Sequence, residues 1–300
     1  MDQLLSGGLV PLEGGYSGET FLAQAAGERS VVRIYAHRTD RGPNAAEIDA
    51  AVLQLVRGLL PVPEVLEVRR ANPDESMPAL LVTSYLPGER LDLVLPNASH
   101  DLRTRIGANL GGLLARLGQM PFLRRGFFAD GELRVAPMPG GADDLAEWVE
   151  GHHEGTALGD WSAKDREGLV RVAELAQSLL DTVDRTCLVH SDFNPKNMLV
   201  DPETGEVTGL LDWEFAHAGN PFADLGNLLR FEREPELVES VLVGYSRGVD
   251  LPANLVMLAR AADLWALVDL AARRDAHDVA RRAHDLLLSV ARTGNLNATP

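Results

Sequence analysis

Residues 188–200 read Leu-Val-His-Ser-Asp-Phe-Asn-Pro-Lys-Asn-Met-Leu-Val. An apolar run enters a polar loop, and a second apolar run leaves it. Within the loop His190, Asp192 and Asn197 stand at the spacing H-x-D-x-x-x-x-N. Fifteen residues after Asn197, the run Leu210-Leu211 ends on Asp212, with Trp213 and Glu214 behind it. These residue types suit phosphoryl transfer. An attacking hydroxyl must be held in line and needs an acceptor for its proton, which a loop Asp supplies. The charge on a triphosphate must be neutralised by metal ions held through hard oxygens, which an Asn carbonyl and a second Asp supply. Taken singly, each residue reads as a tight turn, an N-cap or a buried histidine. The combined spacing between strands is what points to chemistry.

Two kinds of element must position this loop. Before residue 85 the pattern is β-rich with one helix. Strands are expected at Leu9–Leu12, Thr20–Gln24, Ser30–Tyr35, Val65–Val68 and Ala79–Ser84. A helix is expected over Asn44–Leu59, because Asp49, Val52, Leu53, Val56 and Leu60 share one face and Pro61 and Pro63 follow. After Tyr85-Leu86-Pro87-Gly88 the chain becomes mainly helical. Ser99 and Ser162 are expected N-caps. The first precedes a stripe of Leu102, Ile106, Leu110, Leu113 and Leu117, the second a stripe of Leu169, Val172, Ala176, Leu179 and Val183. Short strands are expected at Thr186–His190, Met198–Val200 and Val207–Trp213, then helices over 222–230, 235–247, 252–272 and 276–293. The fold class is therefore α+β and bilobal, with residues 1–86 as a small β-rich lobe and 87–300 as a larger helical lobe.

Composition narrows the partners. The formal net charge of -16 argues against a nucleic-acid backbone, which needs a surplus of Lys and Arg. It suits a cationic ligand, which a negative cleft concentrates. The single cysteine, Cys187, leaves no intrachain disulfide and no cysteine metal site. No apolar run reaches the roughly 18 residues of a membrane span, and no leader pattern opens the chain. A cytoplasmic protein is expected, with neither nucleic acid nor membrane as partner.

The sequence resembles the aminoglycoside phosphotransferase and choline kinase-like branch of the protein-kinase fold. The resemblance rests on His190–Asn197, on Leu211-Asp212-Trp213-Glu214 and on Gly219-Asn220-Pro221-Phe222-Ala223-Asp224-Leu225-Gly226. These are similar to the family's HGDxxxxN loop, IDWE strand and GDPxxDLA helix start, with Ser191 and Asn220 replacing the more usual Gly and Asp. The resemblance implies a two-lobed kinase fold and transfer of the terminal phosphate of ATP or GTP. By it, Asp192 is the catalytic base, His190 braces the loop, and Asn197 and Asp212 hold Mg2+. Asp224 ties its helix to the loop.

Other kinase parts carry over in the same way. Gly14, Gly15, Ser17 and Gly18 would cover the phosphates, although Gly-rich hairpin turns are common. Arg33 stands where protein kinases carry a phosphate-pairing lysine, and its planar fork changes the geometry of that contact. Glu47 and Asp49 are both candidates for its acidic partner; Asp49 is chosen because it shares the helix's apolar face. Thr83, Ser84, Tyr85 and Leu86 would receive the base.

The acceptor is expected to be a hydroxylated, cationic small molecule, met by Glu214, Glu232 and Asp263, with Glu234 and Asp269 as further candidates. Each of these acids taken alone reads better as part of an ordinary exposed face. Trp148, Trp161 and Trp265 read as packing residues, and His152 and His153 as surface residues. Inactivation of an antibiotic is the first expectation. A metabolic kinase of an amino alcohol, sugar or homoserine-like substrate is the second, and a non-catalytic nucleotide-binding regulator the third. Intact Asp192, Asn197 and Asp212 argue against the third.

Overall fold

The computed structural model describes residues 9–12, 19–25, 27–35, 42–72, 77–137 and 144–299. The first part builds a five-stranded antiparallel sheet in the order β1-β2-β3-β5-β4. Its strands are β1 (Val10–Pro11), β2 (Glu19–Ala25), β3 (Glu28–Tyr35), β4 (Val65–Arg69) and β5 (Ala79–Ser84). Helix α1 (Ala45–Val56) packs on it, burying Ile48, Val52, Leu53 and Val56. The helix is shorter than its apolar stripe predicts. Arg57 turns extended and Gly58 takes φ 80°, a left-handed conformation that a glycine adopts without steric cost.

Beyond Ser84 the chain leaves this sheet. Strand β6 (Glu89–Arg90) pairs instead with β10 (Met198–Val200), which pairs in turn with β11 (Val207–Leu210). Gly88 makes the turn possible. Its φ is 132°, and a Cβ there would sit 2.4 Å from the Thr208 hydroxyl. That hydroxyl donates to the Pro87 carbonyl at 2.7 Å, pinning the connection onto the catalytic half.

Short helix α2 (Leu91–Val94) leads to α3 (His100–Leu117). Ser99 caps α3 by accepting from the Leu102 N–H at 3.2 Å. Ile106, Leu110, Leu113 and Leu117 face the core, as the stripe predicts. Against α3 lies α7 (Pro235–Ser246), at backbone contact: a Cβ on Gly111 would meet the Val241 carbonyl at 2.1 Å, and one on Gly244 the Ala108 carbonyl at 2.1 Å.

A second sheet, ordered β8-β7-β12-β9, consists of β7 (Gly126–Phe128), β8 (Val135–Ala136), β9 (Cys187–Val189) and β12 (His217–Gly219). Helices α4 (Leu145–Gly151), α5 (Ala163–Leu180), α8 (Leu255–Ala272) and α9 (Asp278–Thr293) form the remaining bundle, and α6 (Ala223–Leu229) joins it to the second sheet. Ser162 caps α5, accepting from the Asp165 N–H at 3.1 Å. The architecture is α+β and bilobal. Among the described residues no helix is long and apolar enough to cross a membrane.

Candidate active site

Three short strands deliver the loop. The β9 strand ends at Val189, β10 begins at Met198, and β11 runs antiparallel to β10. Cys187, Leu188, Val189, Met198, Val200 and Leu210 are all buried, so hydrophobic packing fixes both ends of residues 190–197.

The loop itself is held by hydrogen bonds. His190 is fully buried. Its Nε2 lies 2.9 Å from the Leu211 carbonyl, and its Nδ1 accepts from the Asp192 N–H at 3.2 Å. Only the neutral ring protonated on Nε2 satisfies both contacts. Trp213 packs on the same ring with centroids 4.5 Å apart. His190 therefore supports the loop from within the core and does not face the cleft. Asp224 sits beneath it, accepting from the N–H groups of His190 and Ser191, both at 2.8 Å. Ser191 takes φ 70°, the left-handed region where a glycine costs least. The Asp224 bonds to the His190 and Ser191 N–H groups hold the serine there.

Asp192 accepts from the amides of Asn194 and Asn197 on its two oxygens, each at 2.6 Å. Burial raises its pKa, while the Asn197 hydrogen bond and the Arg230 charge oppose the rise. The Asn197 amide also donates to the Asp192 carbonyl at 3.0 Å. With its nitrogen turned inward, its Oδ1 makes no hydrogen bond among the described residues.

Asp212 takes φ 63°. This left-handed residue turns the chain, so β11 stops at Leu210 and does not reach Trp213 as the sequence pattern predicts. One Asp212 oxygen accepts from Arg33 Nη1 at 3.0 Å. The other makes no hydrogen bond among the described residues. Burial raises the Asp212 pKa, against the lowering effect of Arg33. Two hard oxygens, one from Asn197 and one from Asp212, are thus left in a site with surplus negative charge. No cluster of three or more His, Cys, Asp or Glu able to hold a metal occurs among the described residues. Magnesium fits such a donor set, since it takes few protein ligands and completes its shell with water and phosphate oxygens.

Arg33 spans the cleft from β3. It bonds Asp212, donates to Glu214, and lies 3.9 Å from Asp49. Burial lowers its pKa, but the charges of Tyr35, Asp212, Asp49 and Glu214 outweigh that and hold it protonated. Asp49 is buried and accepts from the Tyr35 hydroxyl at 2.6 Å. Glu47 points elsewhere, pairing with Arg70 through a 2.7 Å bond.

Several expected site residues need correcting. The Ser84 N–H donates to the Glu64 carbonyl at 2.8 Å and the Tyr85 N–H to the Arg29 carbonyl at 3.4 Å. Both are spent on the sheet, so of these three amides only that of Leu86 is left for a base. Thr83 is buried on β5. Asp263 is not an acceptor-facing acid: it is buried in a two-pronged pair with Arg230, at 2.9 and 2.5 Å. Glu234 caps α7 by accepting from the Leu237 N–H at 3.0 Å. Asp269 pairs with exposed Arg273. Glu214 faces Arg33, and Glu232 is half-buried, its pKa raised by burial. His152 and His153 are half-buried, not surface residues, and the His152 ring packs 4.2 Å from Trp148. Residues 13–18, with Gly14, Gly15, Ser17 and Gly18, lie outside the described residues.

A family model described as "Phosphotransferase enzyme family" matches residues 8–255. The chain belongs to this family. Among solved structures, aminoglycoside phosphotransferase APH(4)-Ia is similar, with a TM-score of 0.69 and 16% identity over 96% of this chain and 94% of that one. A thermostable mutant of that enzyme, in ternary complex with ADP and hygromycin B, gives 0.65 and 17% over 98% and 96%. At such identities the likeness shows the fold alone, a two-lobed kinase-like one. Mouse acyl-CoA dehydrogenase family member 10 is 26% identical over 223 residues, covering 72% of this chain and 20% of that protein. Mouse acyl-CoA dehydrogenase family member 11 is 34% identical over 80 residues, covering 27% and 10%. The chain thus spans a fifth or less of these curated relatives.

Proposed function

We propose that this phosphotransferase moves the γ-phosphate of ATP or GTP onto a hydroxyl of a small metabolite. The observation that carries the reading is the convergence of Asp192, Asn197 and Asp212 opposite Arg33. Asp192 receives the hydroxyl proton. Its amide contacts leave lone pairs on both oxygens for that purpose, and burial makes it a better base than a solvated carboxylate. Asn197 and Asp212 would hold magnesium, which neutralises triphosphate charge when bound. Arg33 is positioned by Asp49 and Tyr35 to exchange its carboxylate partners for phosphate oxygens. The Leu86 N–H is the donor for the base.

The metabolic reading of the acceptor is supported by the corrections above. Of the five acids considered for a polycation, Asp263 and Asp269 are paired with arginines and Glu234 caps a helix. The named curated relatives are also acyl-CoA dehydrogenase family members. Antibiotic inactivation is the second reading, supported by the likeness to a phosphotransferase in complex with hygromycin B. A turnover panel with ATP or GTP separates them. Hydroxy acids, sugars and amino alcohols should be phosphorylated, and aminoglycosides should not; the reverse ranking would replace the metabolic reading with the antibiotic one. No acceptor-dependent turnover with any class would remove both.

A further inference from the structure

We infer that Arg230, Arg233 and Arg260 form a binding site for a small monoanion, either a halide or one oxygen of a carboxylate, between α6, α8 and the C-terminal turn. All three line one small cavity, together with Asp263 and apolar side chains such as Leu264 and Leu296. Arg230 and Arg260 are 6% and 8% exposed.

Following each guanidinium nitrogen gives the site its donors. Arg230 uses Nε and Nη2 on Asp263. Arg260 uses Nε on the Asn297 side chain at 3.2 Å and Nη1 on the Leu229 carbonyl. Arg233 uses Nε on the Arg230 carbonyl at 3.2 Å and Nη1 on the carbonyls of Ala298 at 2.9 Å and Asn297 at 3.3 Å. That leaves Arg230 Nη1, Arg233 Nη2 and Arg260 Nη2 without a hydrogen-bond acceptor among the described residues.

Charge points the same way. Among the described residues Asp263 is the one carboxylate hydrogen-bonded to the three guanidinium groups, with Asp192 a further charge acting on Arg230; the other partners of Arg233 and Arg260 are neutral carbonyls and an amide. A buried surplus of like charge is unfavourable unless a counter-charge enters. Burial, with Arg233 and Arg230 adding to it, pushes Arg260 down to about 10 even though Asp263 opposes the shift. Size limits the occupant. The cavity has room for about one water-sized atom. A whole phosphate is too large, and the smallest anionic groups, a chloride ion or a single carboxylate oxygen, come nearest to the size of the space. A water fits, but leaves the charge surplus in place.

The site lies within electrostatic reach of Asp192, whose charge Arg230 stabilises. The anion site stands whether or not phosphate is transferred, so its test uses no turnover.

The experiment is thermal unfolding of the full chain titrated with sodium chloride, bromide, acetate or sulfate at matched ionic strength. Non-specific salt effects favour sulfate as the stabiliser. A saturable rise in Tm at millimolar chloride or bromide, exceeding that with sulfate, supports a halide site. The same response to acetate alone assigns the site to a carboxylate. Either response should shrink at least fivefold in Arg233→Gln, at the half-exposed member, and in Arg260→Gln. If Arg260→Gln fails to fold, Arg233→Gln and anomalous diffraction from bromide-soaked crystals remain, with a peak expected in the cavity. A response that never saturates and ranks sulfate highest, or one unchanged in Arg233→Gln, overturns the proposal.

Discussion

Replacing Asp192 with Asn should lower kcat by about 10²–10⁴-fold, the range over which a positioned general base contributes. Nucleotide affinity should change little. The substitution is nearly isosteric, and the Asp192 backbone carbonyl still accepts from Asn197. What is lost is the proton acceptor, together with one of the two side-chain oxygens that accept from the Asn194 and Asn197 amides. Steady-state turnover beside nucleotide calorimetry separates the two effects. Turnover within a few-fold of the parent would remove Asp192 from the chemistry. A collapse of nucleotide binding in a folded variant would mean that it acts on the donor side instead.

Asp224→Ala should be the most destabilising single change in the site. It strips the acceptor from two buried N–H groups at once, those of His190 and Ser191. Each orphaned group costs about 1–3 kcal/mol, so the loss is about 2–6 kcal/mol. Chemical denaturation reads it as a fall in the urea midpoint, and an unchanged midpoint would contradict the bracing role. The same residue predicts a pH effect. Burial pushes Asp224 up to about 7 from its ordinary 3.8, against the pull of the two N–H groups. The folded chain therefore binds this proton more tightly than the unfolded chain. The stabilising contribution is full below about pH 4 and fades as the pH rises through about 7. Asp224→Asn keeps one acceptor oxygen and cannot titrate, so it should flatten that decline.

Much of this arrangement is legible in the sequence where local pattern and tertiary role coincide. Strand β5 follows from its run of apolar and β-branched residues and the stripe of α3 from periodicity. Asp49 could be singled out because its place on the apolar face of α1 forces it inward. The misses have physical causes. Helix α4 and strand β12 are too short for a period to emerge. The early end of β11 comes from the left-handed Asp212, which no run of apolar residues reveals. Asp263 looks like a free acid because its partner, Arg230, lies 33 residues away in the chain. The arginine cluster escaped for a related reason: Arg230 and Arg233 are neighbours after α6, but Arg260 lies on α8 and only folding brings it to their cavity.

The central claim is that Asn197 and Asp212 present oxygens to a metal-bound triphosphate. Calorimetric titration with the non-hydrolysable analogue AMP-PNP, with magnesium and with chelator, tests it on the parent chain and on Asp212→Ala. The parent should bind saturably with magnesium and much more weakly with chelator, and Asp212→Ala should lose that difference. Equal affinity with and without the metal, or a magnesium effect that survives in the variant, would contradict the account.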